Sequence, residues 1–433
     1  MSRKYDIVVF GATGFTGQHT VEEMARIAEE ESLEWAISGR NITKLQGVIS
    51  KASERTGKRL DDVPIIISDI NSSESLVTMA QQTKIVLNCV GPYLLFGEQV
   101  VKACIEAGTH HLDVSGEPQY LEKMQLLYNA KAKENGVFII GAAAFDSVPA
   151  DMGVLHMRQQ FGEGELTNVE AVLNTQHGPE GGALNTGTME SAMCAIANAS
   201  EVEKLRRSLF PEPLPKLDYY LPKRLPFTYS KETKKWVLPF PGTDESVVNR
   251  TVRELLANGR LEKPIEFVTY IGCQRYVNVV KLVAFAASFS VFSYFRIGRY
   301  LFSKYPDTLS SGFFKSEGPS QKQINESTFT MEFIGYGFSE ESKGSGSKKP
   351  DKIIQTKISG PDLGYGATPI CLIQCAVTLL KSRDKIRQKG GVLTPGSVFI
   401  DTDLIARLDR HGVKFSTVAT GAGTDADTDT GNK

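Results

Sequence analysis

The sequence predicts an α/β architecture, a doubly wound parallel sheet with a second α+β domain inserted before the chain returns to the first. Three observations carry this. Residues 5–18 (YDIVVFGATGFTGQ) put a six-residue apolar, partly β-branched run directly before three glycines and a helix-forming stretch. Short apolar runs then alternate with helical segments through about residue 155, the pattern of parallel strands joined by crossover helices. From about residue 167 the composition changes and longer strand-like runs take over, so a separate sheet is expected there.

Residues 5–10 form the first strand, and residues 18–30, with apolar Val21, Met24 and Ala25 at helical spacing, the first helix. Gly11, Ala12, Thr13, Gly14, Phe15, Thr16 and Gly17 make the turn between them. A strand, a glycine turn and a helix aim backbone N–H groups and the positive end of a helix dipole at one point, where a pyrophosphate can sit. Gly11 permits the tight turn, Gly14 lets the backbone approach the phosphates, and Gly17 lets helix and strand pack closely. This is the dinucleotide-binding arrangement of a Rossmann domain. The spacing is Gly-x-x-Gly-x-x-Gly rather than the commoner Gly-x-Gly-x-x-Gly, and an ordinary strand-to-helix turn can also carry three glycines.

The second strand, residues 33–38, ends in Gly39-Arg40-Asn41. An acidic residue at this place would accept from an adenosine ribose hydroxyl, whereas arginine pairs with a 2′-phosphate. Arg40, Asn41 and Lys44 stand here with no Asp or Glu before Glu54, which favours NADP over NAD. Arg40 also fits a solvated loop charge. The third strand, residues 63–67, ends at Asp69, which can reach an adenine or cap the next helix. The fourth, residues 84–90, ends in Val90, Gly91, Pro92 and Tyr93, at a carboxyl-end loop of the kind that borders phosphate and nicotinamide. A helix over 98–107, a strand over 110–114, a helix over 118–135 and a sixth strand over 137–140 follow. The next turn, FDSVPAD, offers Ser147 as a side-chain cap for a helix with Pro149 in its first turn, and places Phe145, Asp146 and Ser147 over the nicotinamide end of the cleft.

Composition narrows the class. With 433 residues and 41% hydrophobic residues the chain can bury a sizeable core. Lys+Arg 49 against Asp+Glu 50 leaves a net charge of −1, so no overall field draws it to nucleic acid. Cys89, Cys104, Cys194, Cys273, Cys371 and Cys375 are scattered without Cys-x-x-Cys spacing, which reads as reduced thiols of an intracellular protein and no metal site. Glycines interrupt the apolar run that follows Arg3 and Lys4, so no secretory signal is expected.

Taken in order, GATGFTG, SGR, SDI, NCVGPY, SGEPQ, FDSVPAD, SGPDLGYGATP (359–369) and GGVLTPG (390–396) resemble the saccharopine dehydrogenase-like oxidoreductases and, more distantly, the bacterial trans-acting enoyl reductases of lipid biosynthesis. The resemblance covers nearly the whole chain. It implies a Rossmann domain, a nicotinamide cofactor and a lipid-linked substrate, and does not imply saccharopine, whose carboxylates demand cationic clamps that no Arg or Lys grouping in the sequence declares.

The expected organisation is a dinucleotide-binding domain over 1–155, an α+β substrate or dimerisation domain over 156–362 whose sheet covers the cleft, a return to the first domain over 363–415 with an amphipathic helix at 369–380, and a disordered Gly, Thr and Asp-rich tail over 416–433. Inside the second domain lies an apolar segment at 277–302. Its charge-free part, residues 282–295 (LVAFAASFSVFSYF), would reach about 21 Å as a helix at ~1.5 Å per residue, short of the ~30 Å hydrocarbon core. Phe285, Phe289, Phe292, Phe295, Tyr300 and Phe302, backed by Arg296, Arg299 and Lys304, suit peripheral insertion into a membrane or lipid-droplet surface, and equally a buried helix or a homodimer contact. For chemistry, Tyr219/Lys223 and Tyr300/Lys304 have Tyr-x-x-x-Lys spacing but lie far beyond the first-domain strands and read as coincidence. Tyr93, Asp113, Glu117 and Asp146 remain as polar candidates near the nicotinamide, each also fitting a structural role. The expected function is NADP-dependent hydride transfer to a C=C or C=O group of an apolar substrate; the alternative is a non-catalytic dinucleotide-binding protein on a lipid surface.

Overall fold

Successive residues of a strand point to opposite faces, and the first strand has apolar residues on both, so it must be covered on both sides. In the structure, a computed structural model that describes residues 3–422 apart from 218, 223, 226 and 345–348, this is met by helices on both faces of a parallel sheet. Ile7 and Val9 enter one apolar cluster with Met24, Leu45 and Cys371, while Val8 and Phe10 enter a second with Val100, Tyr120 and Met124. The strands are β1 (Tyr5–Phe10), β2 (Trp35–Gly39), β3 (Ile65–Ile67), β4 (Thr83–Asn88), β5 (His110–Asp113) and β6 (Phe138–Ile140). From one edge they run β3-β2-β1-β4-β5-β6, so the order reverses between β1 and β4 and opens a crevice at their carboxyl ends.

The second sheet is mixed. It contains β7 (Glu165–Gln176), and β8 (Leu184–Asn185) then leaves it to pair with a short strand elsewhere. β9 (Thr228–Ser230), β10 (Lys235–Pro239) and β11 (Glu266–Cys273) extend the sheet on one side of β7. β12 (Phe314–Lys315) is the partner of β8, and β13 (Thr328–Phe338) and β14 (Lys352–Pro361) extend the sheet on the other side. The chain then goes back: β15 (Gly391–Leu393) adds to the first sheet in parallel beside β6, and β16 (Lys414–Ala422) adds to the second beside β14. Residues 416–422, expected in a disordered tail, are therefore in a strand, where the open edge of β14 supplies hydrogen-bond partners that the polar composition alone did not reveal; residues 423–433 lie outside the described residues.

The helix Val148–Phe161 joins the two sheets. Gly153 lies so close to the second sheet that a Cβ there would be 2.3 Å from Cζ of Phe333. The larger apolar cluster thus runs without a break from Val9 under the first sheet to Phe333 and Ile358 under the second. The helix Thr368–Lys381 differs from expectation. It is buried from Thr368 to Leu379 rather than amphipathic, because it packs against the helix Phe15–Ile27 and the first sheet on one side and the helix Leu404–Arg410 on another. All six cysteines are free.

Phe333 is fully buried at the joint of the two layers. Phe333→Ala should cost roughly 3–5 kcal/mol, the usual range for emptying a buried phenylalanine site, read as a lower denaturation midpoint in urea with an unchanged m-value.

Candidate functional site

The crevice is built on the glycine turn. Gly11 has φ 81° and sits against the end of β4: a Cβ there would lie 2.6 Å from Cγ2 of Val90. Gly17 is tighter still, with a Cβ position 2.2 Å from the carbonyl oxygen of Gly11, so no other residue lets the helix Phe15–Ile27 lie on the strand end. The turn is held by N–H bonds of Gly11 and Ala12 to the Ser38 carbonyl (3.0 and 3.2 Å) and of Gly14 to the Gly11 carbonyl (2.9 Å). Gly14 is the N-cap and makes no side-chain cap, which leaves the first-turn N–H groups of the helix to a ligand. Uncapped N–H groups at a strand end, with glycines that let a ligand approach the backbone, are the donor set a pyrophosphate needs, so the cradle fits a dinucleotide.

The adenosine side carries Arg40, Asn41 and Lys44, all exposed just past the end of β2. Asn41 has a structural task, its Oδ1 accepting the Lys44 N–H (2.9 Å) as N-cap of the helix Ile42–Thr56. Asp69 does not cap the next helix; Ser72 does, accepting from the Ser75 N–H, while Asp69 takes the Asn71 N–H in a local turn and stays partly open to the crevice side.

On the other side of the switch point, Pro92 is the N-cap of the helix Tyr93–Ala107, five residues earlier than the helical pattern suggests. The reason is Glu117, whose two carboxylate oxygens accept the N–H groups of Tyr93 and Leu94 (2.8 Å each) and so end-cap the helix from a neighbouring loop. The Tyr93 hydroxyl donates to the Asn88 carbonyl (2.9 Å), and burial lifts its pKa well above the usual phenol range. Asp113 accepts the N–H groups of Ser115 and Ala142 (3.0 and 3.1 Å) and the hydroxyl of Tyr120 (2.9 Å); burial pushes its pKa up to about 6 against those hydrogen bonds. Tyr93, Asp113 and Glu117 therefore hold the loops in place and have little capacity left for a substrate.

Asp146 is different. It is partly buried at the carboxyl end of β6, packed where Gly116 leaves room (a Cβ at 116 would be 2.8 Å from Oδ2), and among the described residues no group hydrogen-bonds its carboxylate. Burial raises its pKa to about 6. Ser147 does not cap its helix with its side chain. Its hydroxyl turns instead to Thr243 Oγ1 (3.0 Å) and donates to Asp244 (3.1 Å), and its backbone has φ 134°. Asp151, in the first turn of that helix, accepts from Thr251 (2.8 Å) and from the Gly396 N–H (2.6 Å), which ties GGVLTPG to FDSVPAD.

Two elements close the crevice: a helix the sequence reading did not identify, and the SGPDLGYGATP stretch, to which it assigned no place in the site. The helix Thr186–Ala197 lies over the loops at Gly91 and Glu117: Ser191 hydrogen-bonds Glu117 and stands 3.3 Å from where a Gly91 Cβ would be, and the Ala195 carbonyl accepts from Gln119 (2.8 Å). The SGPDLGYGATP stretch supplies Tyr365, whose ring meets Phe15 of the glycine turn edge-on at 4.6 Å. Asp362 sets that tyrosine by accepting the N–H groups of Gly364 and Tyr365, and the Tyr365 hydroxyl accepts the Asn185 N–H (2.7 Å). An apolar Phe15 in a phosphate-binding turn was the available signal, since it calls for an aromatic or aliphatic cover. What lies over the crevice is thus this helix and loop rather than the second sheet itself, of which Phe329 reaches Phe145 (4.8 Å).

With this geometry in hand, residues 7–140 match the family described as the saccharopine dehydrogenase NADP binding domain. The human protein named saccharopine dehydrogenase-like oxidoreductase is 44% identical over 423 residues, covering 96% of this chain and 98% of its own. The chain belongs to the saccharopine dehydrogenase-like oxidoreductases. A Caenorhabditis elegans relative named lipid droplet localized protein is 36% identical over 96% of this chain and 98% of its own. Among solved structures, the saccharopine dehydrogenase (L-Glu forming) of Saccharomyces cerevisiae shares the fold, with a TM-score of 0.55 and 11% identity over 96% of this chain and all of that one. The protein is thus an oxidoreductase of this family whose dinucleotide domain takes NADP.

The Tyr-x-x-x-Lys spacings place no pair in the site. Lys223 lies outside the described residues, and Tyr300 and Lys304 sit on an exposed helix, the ammonium 5.8 Å from the ring centroid. No group of three or more His, Cys, Asp or Glu suited to a metal occurs among the described residues.

Removing the Asp146 charge should stabilise the fold. A carboxyl whose folded pKa is raised from 3.8 to about 6 costs nothing below pH ~4, costs progressively more between 4 and 6, and costs its full amount above 6. Asp146→Asn should therefore match the parent protein at pH 4 and exceed it by on the order of 1–2 kcal/mol at pH 8, measured by denaturant titration at both pH values.

Proposed function

We propose that this oxidoreductase uses NADPH to reduce a C=C or C=O group of an apolar, lipid-linked substrate taken from a membrane or lipid-droplet surface. One observation carries the proposal: the helix Thr186–Ala197 has the cofactor crevice on one face and an exposed apolar hairpin on the other. Thr188, Ser191 and Ala195 look toward Tyr365, Glu117 and Gln119, while Met189 and Met193 pack with Phe289, Phe302 and Phe314.

The hairpin is the helix Tyr276–Tyr294 followed by the helix Arg296–Lys304. The first is longer than its charge-free run. Among the described residues, it and the stretch Leu363–Lys381 are the two helical segments long and apolar enough to cross a membrane by length and composition, but the latter is largely buried in the core and the former is not. Its inner face is committed to the Met189 cluster, and Val291, Tyr294, Phe295, Ile297 and Tyr300 are left exposed, with Ile297 at 75%. A helix with one face packed on protein and the other apolar and basic-edged lies in an interface rather than across it. The name of the nematode relative agrees with such a place, inside the cell.

When bound, NADPH supplies a hydride. In this reading Gly11, Gly14 and Gly17 present N–H groups to its pyrophosphate, Arg40 pairs with its 2′-phosphate, with Lys44 and Asp69 beside it, and Val90, Gly91 and Pro92 border the nicotinamide ribose. Asp146, the one candidate carboxyl without a structural partner, holds the proton that the reduced substrate needs, its pKa of about 6 keeping a usable protonated fraction near neutrality. A second reading, a dinucleotide-binding protein without turnover, draws on the commitment of Tyr93, Asp113 and Glu117 to backbone groups.

Calorimetric titration should show NADPH binding at least ~10-fold more tightly than NADH, about 1.4 kcal/mol, with Arg40→Ala closing the gap; equal affinities in the parent protein would remove Arg40 from the cofactor site. In flotation with phosphatidylcholine vesicles, Ile297→Ser combined with Tyr300→Ser should lower the bound fraction roughly 10-fold through lost apolar burial, with NADPH affinity unchanged. If the parent protein does not float and sediments as a dimer that the same substitutions dissociate, the hairpin is a homodimer contact and the lipid-surface proposal fails.

A further inference from the structure

Away from the cofactor crevice, the helices Pro118–Glu134, Ser200–Leu209 and Asp244–Ala257 enclose an open cavity of about 320 Å³. Its lining is unusual for a surface hollow: Arg206, Arg207, Arg250 and Arg253 face it, and Glu122 is the one carboxylate in the wall. None of these residues belongs to the site described above. In the sequence the four arginines fall in two pairs more than forty residues apart, which is why no cationic grouping declares itself there.

The groups differ in how far their charge is met. Glu122, itself buried, accepts from Arg206 Nε (2.9 Å) and from the Ser246 hydroxyl (2.7 Å). Arg207 pairs with Glu203 at the outer rim. Arg253 stacks its guanidinium on Phe210 at 4.4 Å and donates to the Glu212 carbonyl (3.0 Å), so it is held without being neutralised. Arg250, at the floor, is only 4% exposed, yet it donates through Nε to the neutral amide oxygen of Gln125, and among the described residues no carboxylate lies within ion-pair distance of it. Burial pulls its pKa down to about 10, so it keeps its charge at neutral pH. Four guanidinium groups meet Glu122 in the wall and Glu203 at the rim, and Asp113 and Asp151 act on Arg250 only from beyond ion-pair distance, so the lining itself is net positive. A buried cation whose remaining N–H groups face a cavity is costly unless an anion enters it, and the planar fork of arginine suits a phosphate best.

We propose that this cavity is a binding site for a phosphomonoester dianion, with Arg250 and Arg253 as its principal donors and Arg206 and Arg207 at the mouth. A dianion with several acceptor oxygens can bond more than one guanidinium fork of an arginine-rich lining at once, which a monocarboxylate does less well. The volume exceeds what a bare phosphate fills, so the ester's organic part has room toward the open side. The same chemistry is presented by a soluble phosphorylated metabolite and by the headgroup of phosphatidic acid.

The test is equilibrium dialysis of the full-length protein, saturated with NADPH so that the glycine turn is filled, against radiolabelled inorganic phosphate. One phosphate per chain is expected, with binding at least ~10-fold weaker in Arg250→Gln and in Arg253→Gln and NADPH affinity unaltered in both. Arg253 is only partly buried, so its variant remains informative if Arg250→Gln unfolds. Failure of NADPH itself to bind would show in the saturation step and bears on the cofactor, whereas phosphate that binds equally to the parent and to Arg253→Gln, phosphate that does not bind at millimolar concentration, or displacement by glutarate in preference to phosphate each overturns the proposal. A vesicle arm then separates the sources: an Arg253-dependent excess on phosphatidic acid over phosphatidylcholine vesicles identifies a lipid headgroup, and phosphate binding without that excess identifies a soluble ester.

Discussion

The contact between Gly17 and the carbonyl oxygen of Gly11 is the constraint on which the rest of the site depends. With a Cβ position only 2.2 Å from that oxygen, the first helix can lie on the strand end only if residue 17 has no side chain. Once it lies there, the unpaired N–H groups of its first turn reach the carboxyl edge of the sheet, at the reversal between β1 and β4. The same placement drives the Phe15 ring outward. It finds cover in Tyr365, some 350 residues further along, and in a glycine at 318 against which the ring fits. A chain that returned elsewhere would leave an aromatic ring in water at the mouth of a phosphate site.

Much of the first domain was legible because its signals are local. A run such as IVVF is apolar on both faces, and only a sheet with helices on both sides satisfies it. The glycine turn, the β-α alternation and the charge-free run 282–295 are likewise written in adjacent residues. What could not be read is what depends on partners distant in sequence. The helix Tyr93–Ala107 starts at 93 because Glu117 caps it, and nothing near 93 says so. Ser147 has the residue type and position of a cap, but Thr243 and Asp244 offer its hydroxyl a buried alternative. The polar segment 416–422 becomes a strand because β14 has an edge to fill. The helix Thr368–Lys381 shows a periodicity that suggests one wet face, and the return of the chain to the first domain buries it on all sides.

The buried carboxyls sort by the same logic of partners. Asp113 and Glu117 are desolvated, but each is surrounded by N–H or O–H donors whose loss would leave loop backbone unsatisfied, and this identifies them as parts of the scaffold. Asp146 is desolvated with no donor to compensate, and the nearby Asp244 carboxyl is itself driven strongly toward its neutral form by burial and by the Asp146 charge. A protein gains no stability from such a group. The same shift that destabilises the ion keeps a proton on the carboxyl near neutral pH, a condition that clusters at functional sites and that structural ion networks also produce.

The helix Thr186–Ala197 gives the arrangement its direction. A helix facing two solvents must carry two kinds of side chain, and this one does at helical spacing: Thr188 and Ser191 toward the crevice, Met189 and Met193 toward the hairpin. Methionine is unbranched and packs without a demanding shape, which suits the phenyl-lined hairpin face, whereas the Ser191 bond to Glu117 ties the other face to the cap of a scaffold helix. From hairpin to crevice the side chains pass from phenyl and thioether groups to hydroxyls, so this one helix separates an apolar cluster from the polar loop network around Glu117.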